Sequence, residues 1–412
     1  GNQLPLEMVL KTLSGPLTDP DLPKIGHNIK YDYVMLARYG VLTSPLAFDT
    51  MIAEWLVNPN SRNLGLKSLA WVRLGVQMTE IEALIGKGKH QKSMAEVSIS
   101  NAAPYAADDA EILLRLKPQL QSELEQSQAS NLFDELEMPL VSVLADMEMA
   151  GIGLDIDYLA KMSGNLNEEL QEIEDQIYAS VGSDFNINSP QQLSDALFNR
   201  LGLVPPDRTR RTASGFYSTA ASVLEAMKGL HPVVDLVLKY RELSKLKSTY
   251  VDALPLQVNP QTHRVHTSYN QTGSVTGRIA SSDPNLQNIP IRTELGRQVR
   301  RAFIARPGHL LLSVDYSQVE LRIVAHMAND KAMKEAFLAG QDIHATTAAA
   351  IYDVPLEAVT STQRRHAKAV NFGLIYGMSP FGLTRTTDLT LAEAEDFVET
   401  YFQRFPGVKR YL

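Results

Sequence analysis

Cysteine is absent from the 412 residues. That excludes disulfides, thiol catalysis and cysteine-ligated zinc. It fits a reducing compartment or a heat-adapted source equally well. No run of eighteen apolar residues occurs, so nothing reads as a membrane-spanning helix. The first residues, Gly1-Asn2-Gln3-Leu4-Pro5-Leu6-Glu7, lack the basic and apolar regions of a signal peptide. A general excess of positive charge is also missing. The net charge of −8 excludes a uniformly basic surface, although phosphate contact needs only a local stripe. What remains is an ordinary globular composition, 44% apolar and 21% charged, in a chain long enough for two or three domains with cores of their own.

One segment runs against the overall charge. Residues 237–301 hold ten Lys and Arg against four acids, an excess of six positive charges, which suits a polyanion partner. Residues 1 to about 125 read as a small α/β unit. It opens with a helix over 4–13 stopped by Ser14-Gly15-Pro16, then a strand over 24–28 running into a helix through Tyr39. A second strand and helix surround Asp49, a basic loop covers 86–92, and a helix over 102–120 closes the unit. Residues 131 to about 254 read as mainly helical. Two long periodic segments, 132–149 and 157–181, are separated by Ala150-Gly151-Ile152-Gly153, and Asp155 caps the second. Residues 186–190 cap a further helix over 191–201, and 207–215 form a polar, basic loop. From Thr262 short strands and turns take over, with an apolar strand over 309–314 leading directly to Asp315.

The most informative stretch is 362–378. Arg364, Lys368, Phe372 and Tyr376 recur at every fourth position, so on a helix they form one stripe about 18 Å long. Two cations occupy one end and two aromatics the other. Ala367, Val370, Leu374 and Ile375 suit the opposite, buried face. An extended nucleoside triphosphate has a matching outline. Its phosphates want Arg and Lys, and its base and sugar want flat rings. A solvated amphipathic helix is the other reading of the same spacing.

Further candidates each admit two readings. Asp315, with the Tyr316 carbonyl, makes a hard-cation site or a helix N-cap. Asp342-Ile343-His344 offers a histidine for phosphates or a capping segment. Arg241, Lys245 and Lys247 crowd one helix end, which suits gripping a duplex backbone without reading its sequence. Arg278, Asn285, Gln287, Asn288 and Arg292 lie in loops. Their amides and guanidinium groups suit the minor-groove acceptors common to every base pair, or plain turn chemistry. Tyr105 and Asp109 share a helix face and, with Asp32, suit divalent-metal hydrolysis of a phosphodiester or a solvated surface.

In order and spacing these segments resemble the family A DNA polymerases. Arg364-x3-Lys368-x3-Phe372-x3-Tyr376-Gly377 is similar to the family's fingers-helix motif, and Asp315-Tyr316-Ser317-Gln318-Val319-Glu320-Leu321-Arg322 to its first palm motif. Gln287-Asn288-Ile289-Pro290 beside Thr276-Gly277-Arg278 is similar to its primer–template signature. The segments around Asp32 and Asp109 resemble the second and third motifs of the family's 3′–5′ exonuclease domain. The resemblance implies an α/β multidomain fold. A ribonuclease H-like exonuclease-type domain would occupy 1–125 and a right-hand polymerase 126–412. The latter divides into a helical thumb (about 126–258), an antiparallel β palm (about 259–330) and helical fingers (about 331–412).

The implied reaction is template-directed addition of deoxynucleotides to a primer 3′ end, with two Mg²⁺ ions about 4 Å apart clamping the attacking and leaving oxygens. Asp315 would be the catalytic carboxylate and, with Tyr316, a metal ligand. Ser317, Gln318, Glu320, His344, Arg364, Lys368, Phe372 and Tyr376 would meet the nucleotide. Lys245, Lys247, Arg278, Asn285, Gln287, Asn288 and Arg292 would meet primer–template DNA. Glu320 would close the pocket beside the sugar 2′ carbon and favour deoxyribonucleotides. Phe372 lacks a hydroxyl where some relatives carry tyrosine, which implies discrimination against dideoxynucleotides. The implied location is the bacterial cytoplasm, at the nucleoid.

Two motifs of the family are missing. No Asp-x-Glu stands on an upstream strand, and in Asp19-Pro20-Asp21 the proline is unsuited to a central strand. No His-Asp-Glu occurs. The chain therefore reads as cut at both ends, either trimmed or divided and completed by a second polypeptide. Exonuclease activity is not expected of it. The rival readings are a non-catalytic DNA- and nucleotide-binding subunit and a 3′–5′ exonuclease.

Overall fold

The computed structural model describes residues 4–207, 211–291, 293–385, 387 and 389–412. The chain forms two compact units, Gly1–Leu311 and Leu312–Leu412. In the first, strands β1 (Lys24–Gly26) and β2 (Leu46–Asp49) pair in parallel across the helix Ile29–Ala37. The Asp49 carboxylate, 1% exposed, organises this crossover. It caps the helix Thr50–Val57 by accepting from the Met51 and Ile52 N–H groups, and it accepts from those of Asn28 and Ile29 at the start of the other helix. Helix N-termini orphan such donors, and one buried carboxylate satisfies two sets of them. Ile112, Leu116, Leu120 and Leu124, four apart on the helix Ile99–Gln126, face Phe48, Ile52 and Leu69 in the core. That helix extends beyond the expected 102–120. The first helix, Leu6–Thr18, also departs from expectation by continuing through Ser14-Gly15-Pro16. It buries no side chain, so the carbonyl that Pro16 leaves without a donor can be hydrated.

The remainder of this unit is built on β3 (Ile152–Leu154), β4 (Val258–Asn259), β5 (Arg264–Val265) and a β6–β7 hairpin (Ser268–Asn270, Ala280–Ser282), with β8 (Phe303–Ile304). The antiparallel order is β4-β5-β3-β8. Ala150-Gly151-Ile152-Gly153, expected as a mere separator of helices, instead leads into and forms an inner strand. A Cβ on Gly153 would stand 2.8 Å from the Ile304 carbonyl oxygen, and one on Gly151 2.7 Å from that of Val265, so only glycine lets the neighbours close in. Asp155 caps the helix Ile156–Val181 through the Tyr158 N–H, as expected. This helix packs with Pro232–Leu246 over a core that includes Leu159, Leu166, Val233, Val237 and Leu246.

The second unit is helical: Val319–Met327, Lys331–Leu338, Ile343–Tyr352, Ser361–Ile375, Leu391–Arg404 and Pro406–Tyr411, among shorter turns. Its core joins Leu321, Met333, Ile343, Val370, Leu374, Phe397, Tyr401 and Phe405. The strand expected over 309–314 is not formed. The segment is irregular, with Leu310, Leu312 and Val314 exposed by 94%, 87% and 82%. An apolar strand needs neighbours on its edges and faces, and no described strand supplies them.

Candidate functional site

The helix Ser361–Ile375 is closed at both ends by its own sequence. Thr360 and Gln363 form a reciprocal capping box. At the other end Gly377, at φ +75°, takes the left-handed conformation. Met378 N–H donates to the Gly373 carbonyl (2.7 Å) and Gly377 N–H to that of Leu374 (3.0 Å), which is the Schellman pattern. Ala367, Val370 and Leu374 are buried as expected, while Ile375 is half-buried. On the far side Arg364, Lys368 and Tyr376 are exposed and Phe372 is half-buried, so the stripe exists. Lys368 Nζ lies 5.9 Å from the centre of the Phe372 ring.

Asp342 gathers the cationic end. One oxygen accepts from Arg364 Nε and its terminal nitrogen, both at 2.7 Å. The other caps the helix Ile343–Tyr352 through the His344 and Ala345 N–H groups and accepts from Gln318 Nε2 at 3.3 Å. Burial alone would raise this carboxyl's pKa. The Arg364 guanidinium and the N–H groups of Ala345 and His344 outweigh burial and hold it below the usual range. The capping reading of this segment is therefore realised, together with an ion pair that the spacing did not foretell.

His344 is 2% exposed, and burial carries its pKa down to about 4; Asp342 opposes this, while Arg364 and Lys368 add to it. Its Nδ1 sits 2.9 Å from Asn371 Nδ2, and its ring packs 5.4 Å from that of Phe372. At neutral pH this imidazole is uncharged. Asn371 was not singled out from the sequence; the signal available was one amide on the apolar side of the helix. At the aromatic end Tyr376 donates its hydroxyl to Glu320 Oε1 at 2.8 Å, bringing together two of the expected nucleotide residues.

The expected metal ligands stand differently. Asp315, Tyr316 and Ser317 are exposed on the irregular segment, so Asp315 is not at a strand tip. Nor does it cap a helix, because that place before Val319 belongs to Gln318, at φ 53°. Arg322 pins the turn by donating to the Ser317 carbonyl at 2.8 Å. A carboxylate and a carbonyl are suitable hard donors for Mg²⁺. Among the described residues, however, no three His, Cys, Asp or Glu gather into a metal-binding group, so the two-ion set is not assembled.

Of the expected DNA contacts, Lys245 is exposed, while Lys247 is held by Asp252 at 2.6 Å and Arg241 donates to the Thr219 carbonyl. Arg278 is exposed. Asn285 closes a turn by accepting from the Gln287 N–H at 3.0 Å. The Gln287 amide is engaged at both ends, by the Ser281 N–H (3.2 Å) and the Ile279 carbonyl (2.7 Å). Asn288 leaves its side chain exposed and accepts the Tyr250 hydroxyl at its carbonyl (2.5 Å). Arg292 lies outside the described residues.

In the first unit Lys67 sits 4.1 Å above the Tyr105 ring and donates to its hydroxyl at 3.1 Å. Burial raises the pKa of Asp109 against the pull of Lys67. Burial, then the neighbouring Asp49, raises that of Asp32. These groups belong to no metal cluster among the described residues.

Comparison with known proteins agrees with the sequence resemblance. The profile described as DNA polymerase family A matches residues 156–412, and one described as 3′–5′ exonuclease matches residues 2–125. DNA polymerase I of Chloroflexus aurantiacus is 47% identical over all of this chain and 44% of its own length. That of Pseudomonas aeruginosa is 43% identical over all of this chain and 45% of its own length. The chain thus spans less than half of these relatives. The solved POL domain of Pol1 from M. smegmatis, in complex with DNA primer-template and dNTP, is 34% identical with a TM-score of 0.84, covering all of this chain and 68% of that one. A fold shared at that level, with a family profile over well over half the residues, makes this chain a member of DNA polymerase family A.

Proposed function

We propose that this chain is the nucleotide-selecting and primer–template-holding portion of a DNA-directed DNA polymerase that adds deoxynucleotides to a primer 3′ end. The observation that carries the reading is the outward stripe of Arg364, Lys368, Phe372 and Tyr376. Arg364 and Lys368 clamp the triphosphate, Phe372 and Tyr376 seat base and sugar, and Glu320, tied to Tyr376, selects against a 2′-hydroxyl. An incoming phosphate would compete with Asp342 for Arg364. Lys245, Arg278, Asn285 and Asn288, and Arg292 by resemblance, grip the duplex without reading its sequence. Residues 1–125, about 126–258, about 259–330 and about 331–412 are assigned to exonuclease-like, thumb, palm and fingers regions. The site of action is the bacterial nucleoid.

Asp315 and the Tyr316 carbonyl would bind one Mg²⁺ of the pair, an ion that neutralises phosphate charge when present. The described residues do not complete the donor set, so the second carboxylate is assigned to a palm segment carrying His-Asp-Glu. That same observation favours a second reading, a DNA- and nucleotide-binding portion whose chemistry is completed in trans. Primer extension with Mg²⁺ separates the readings when run on the 412-residue chain alone, with such a segment fused to it and with the segment added. The first reading expects extension once the segment is fused to the chain but not when it is merely added. The second expects extension when it is added as a separate polypeptide. Extension by the chain alone overturns the assignment of the second carboxylate to that segment. Shortening of the primer would instead establish the exonuclease reading. Loss of extension without loss of primer–template binding on Lys368→Ala in the complete enzyme is the expected signature of the clamp.

A further inference from the structure

Asn371 is fully buried, one position before Phe372, on the side of its helix that faces the core. A buried amide is costly unless it is bonded, and its nitrogen lies 2.9 Å from His344 Nδ1. With the amide in this orientation its NH₂ donates, Nδ1 accepts and the ring proton sits on Nε2, while the amide oxygen is buried with no partner among the described residues. Among the described residues that Nε2 has no hydrogen-bond partner. The charged groups acting on the ring are Asp342 at the start of its own helix, and Arg364 and Lys368 from the neighbouring one.

We propose that Asn371 is a positioning residue that holds His344 as its neutral Nε2–H tautomer, so that this imidazole meets a triphosphate as a hydrogen-bond donor and not as a third cation. The inference rests on the nucleotide-site reading above. Protonating Nδ1 would set N–H against N–H in this orientation of the amide, and would add a third positive charge beside Arg364 and Lys368. Arg364 and Lys368 already supply the charge. A neutral donor adds direction without adding repulsion.

The test begins with the wild-type chain labelled with ¹⁵N-histidine. Nine histidines are present, and His344→Gln identifies the relevant signal by its loss. Nδ1 should be bare and Nε2 protonated at neutral pH, unchanged on acidification to about pH 5.5. An Nδ1–H tautomer, or an imidazolium at about pH 6, overturns the proposal. Titration with dATP gives the second readout. The ratio of wild-type to His344→Gln affinities should stay constant between about pH 6 and 8. Asn371→Asp substitutes an acceptor that favours the charged ring, so its affinity relative to His344→Gln should rise about tenfold as the pH falls across that range. A wild-type ratio that itself climbs about tenfold towards pH 6, or a flat Asn371→Asp, overturns the tautomer assignment. Lys368→Ala is titrated in parallel. If it leaves dATP affinity unchanged, the nucleotide-site reading fails, while the tautomer read from the ¹⁵N shifts still stands.

Discussion

The stripe on Ser361–Ile375 and the carboxylates read as metal ligands form an instructive pair. The first needs only one helix to exist. Its spacing, capping box and Schellman end are all local, so the side chains fall into line wherever the helix packs. The second kind of site needs carboxylates converging from separate segments. Asp32 and Asp109, and likewise Asp315, are present without gathering into such a group among the described residues. A local period can be trusted one helix at a time, whereas a metal site depends on every segment that contributes to it.

The largest expected effect tests whether convergence in the first unit is instead directed at folding. Asp49→Ala strips a buried acceptor from four backbone N–H groups, so a loss of about 3–5 kcal/mol is expected in chemical denaturation of that unit. A loss near zero would show that Asp49 is not its organiser. Next, Lys368→Ala should weaken triphosphate binding by about 1.5–3 kcal/mol in calorimetry while leaving primer–template affinity within about twofold. Equal losses for both ligands would erase the distinction drawn for the stripe. Acid titration probes the buried face beneath it. The pKa of His344 is about 4 when folded and 6.5 when unfolded, so its neutral burial stabilises above pH 6.5 and this contribution is lost as pH falls towards 4. His344→Gln should flatten that slope in thermal melts of the 412-residue chain, and an unchanged slope would remove the imidazole from the account. The smallest effect is expected of Tyr376→Phe, which deletes the bond to Glu320 at an exposed position. It should change dATP affinity by less than about 1 kcal/mol, with a clearer reduction in preference over ATP.

What the sequence made legible follows the same division. The amphipathic helix, the Asp155 cap and the two strand–helix segments, one of them around Asp49, were readable because each is fixed within a few residues. The inner strand β3 was not, because two glycines carry no periodic signal, and their reason is the approach of Val265 and Ile304 from far along the chain. The 309–314 segment erred the other way. Its composition favours a strand, but a strand exists only with partners. In the candidate site the outward residues were legible from spacing, whereas the Arg364–Asp342 pair and the Asn371–His344 contact join positions more than twenty apart. No one-dimensional pattern encodes such contacts.

Asp342 starts a helix, holds a guanidinium and receives a glutamine amide with a single carboxylate. Its replacement by alanine would report three losses as one figure, and adding that figure to the loss from Arg364→Ala would count the shared contact twice. Only paired substitutions, with Arg364 and separately with Gln318, can apportion the total.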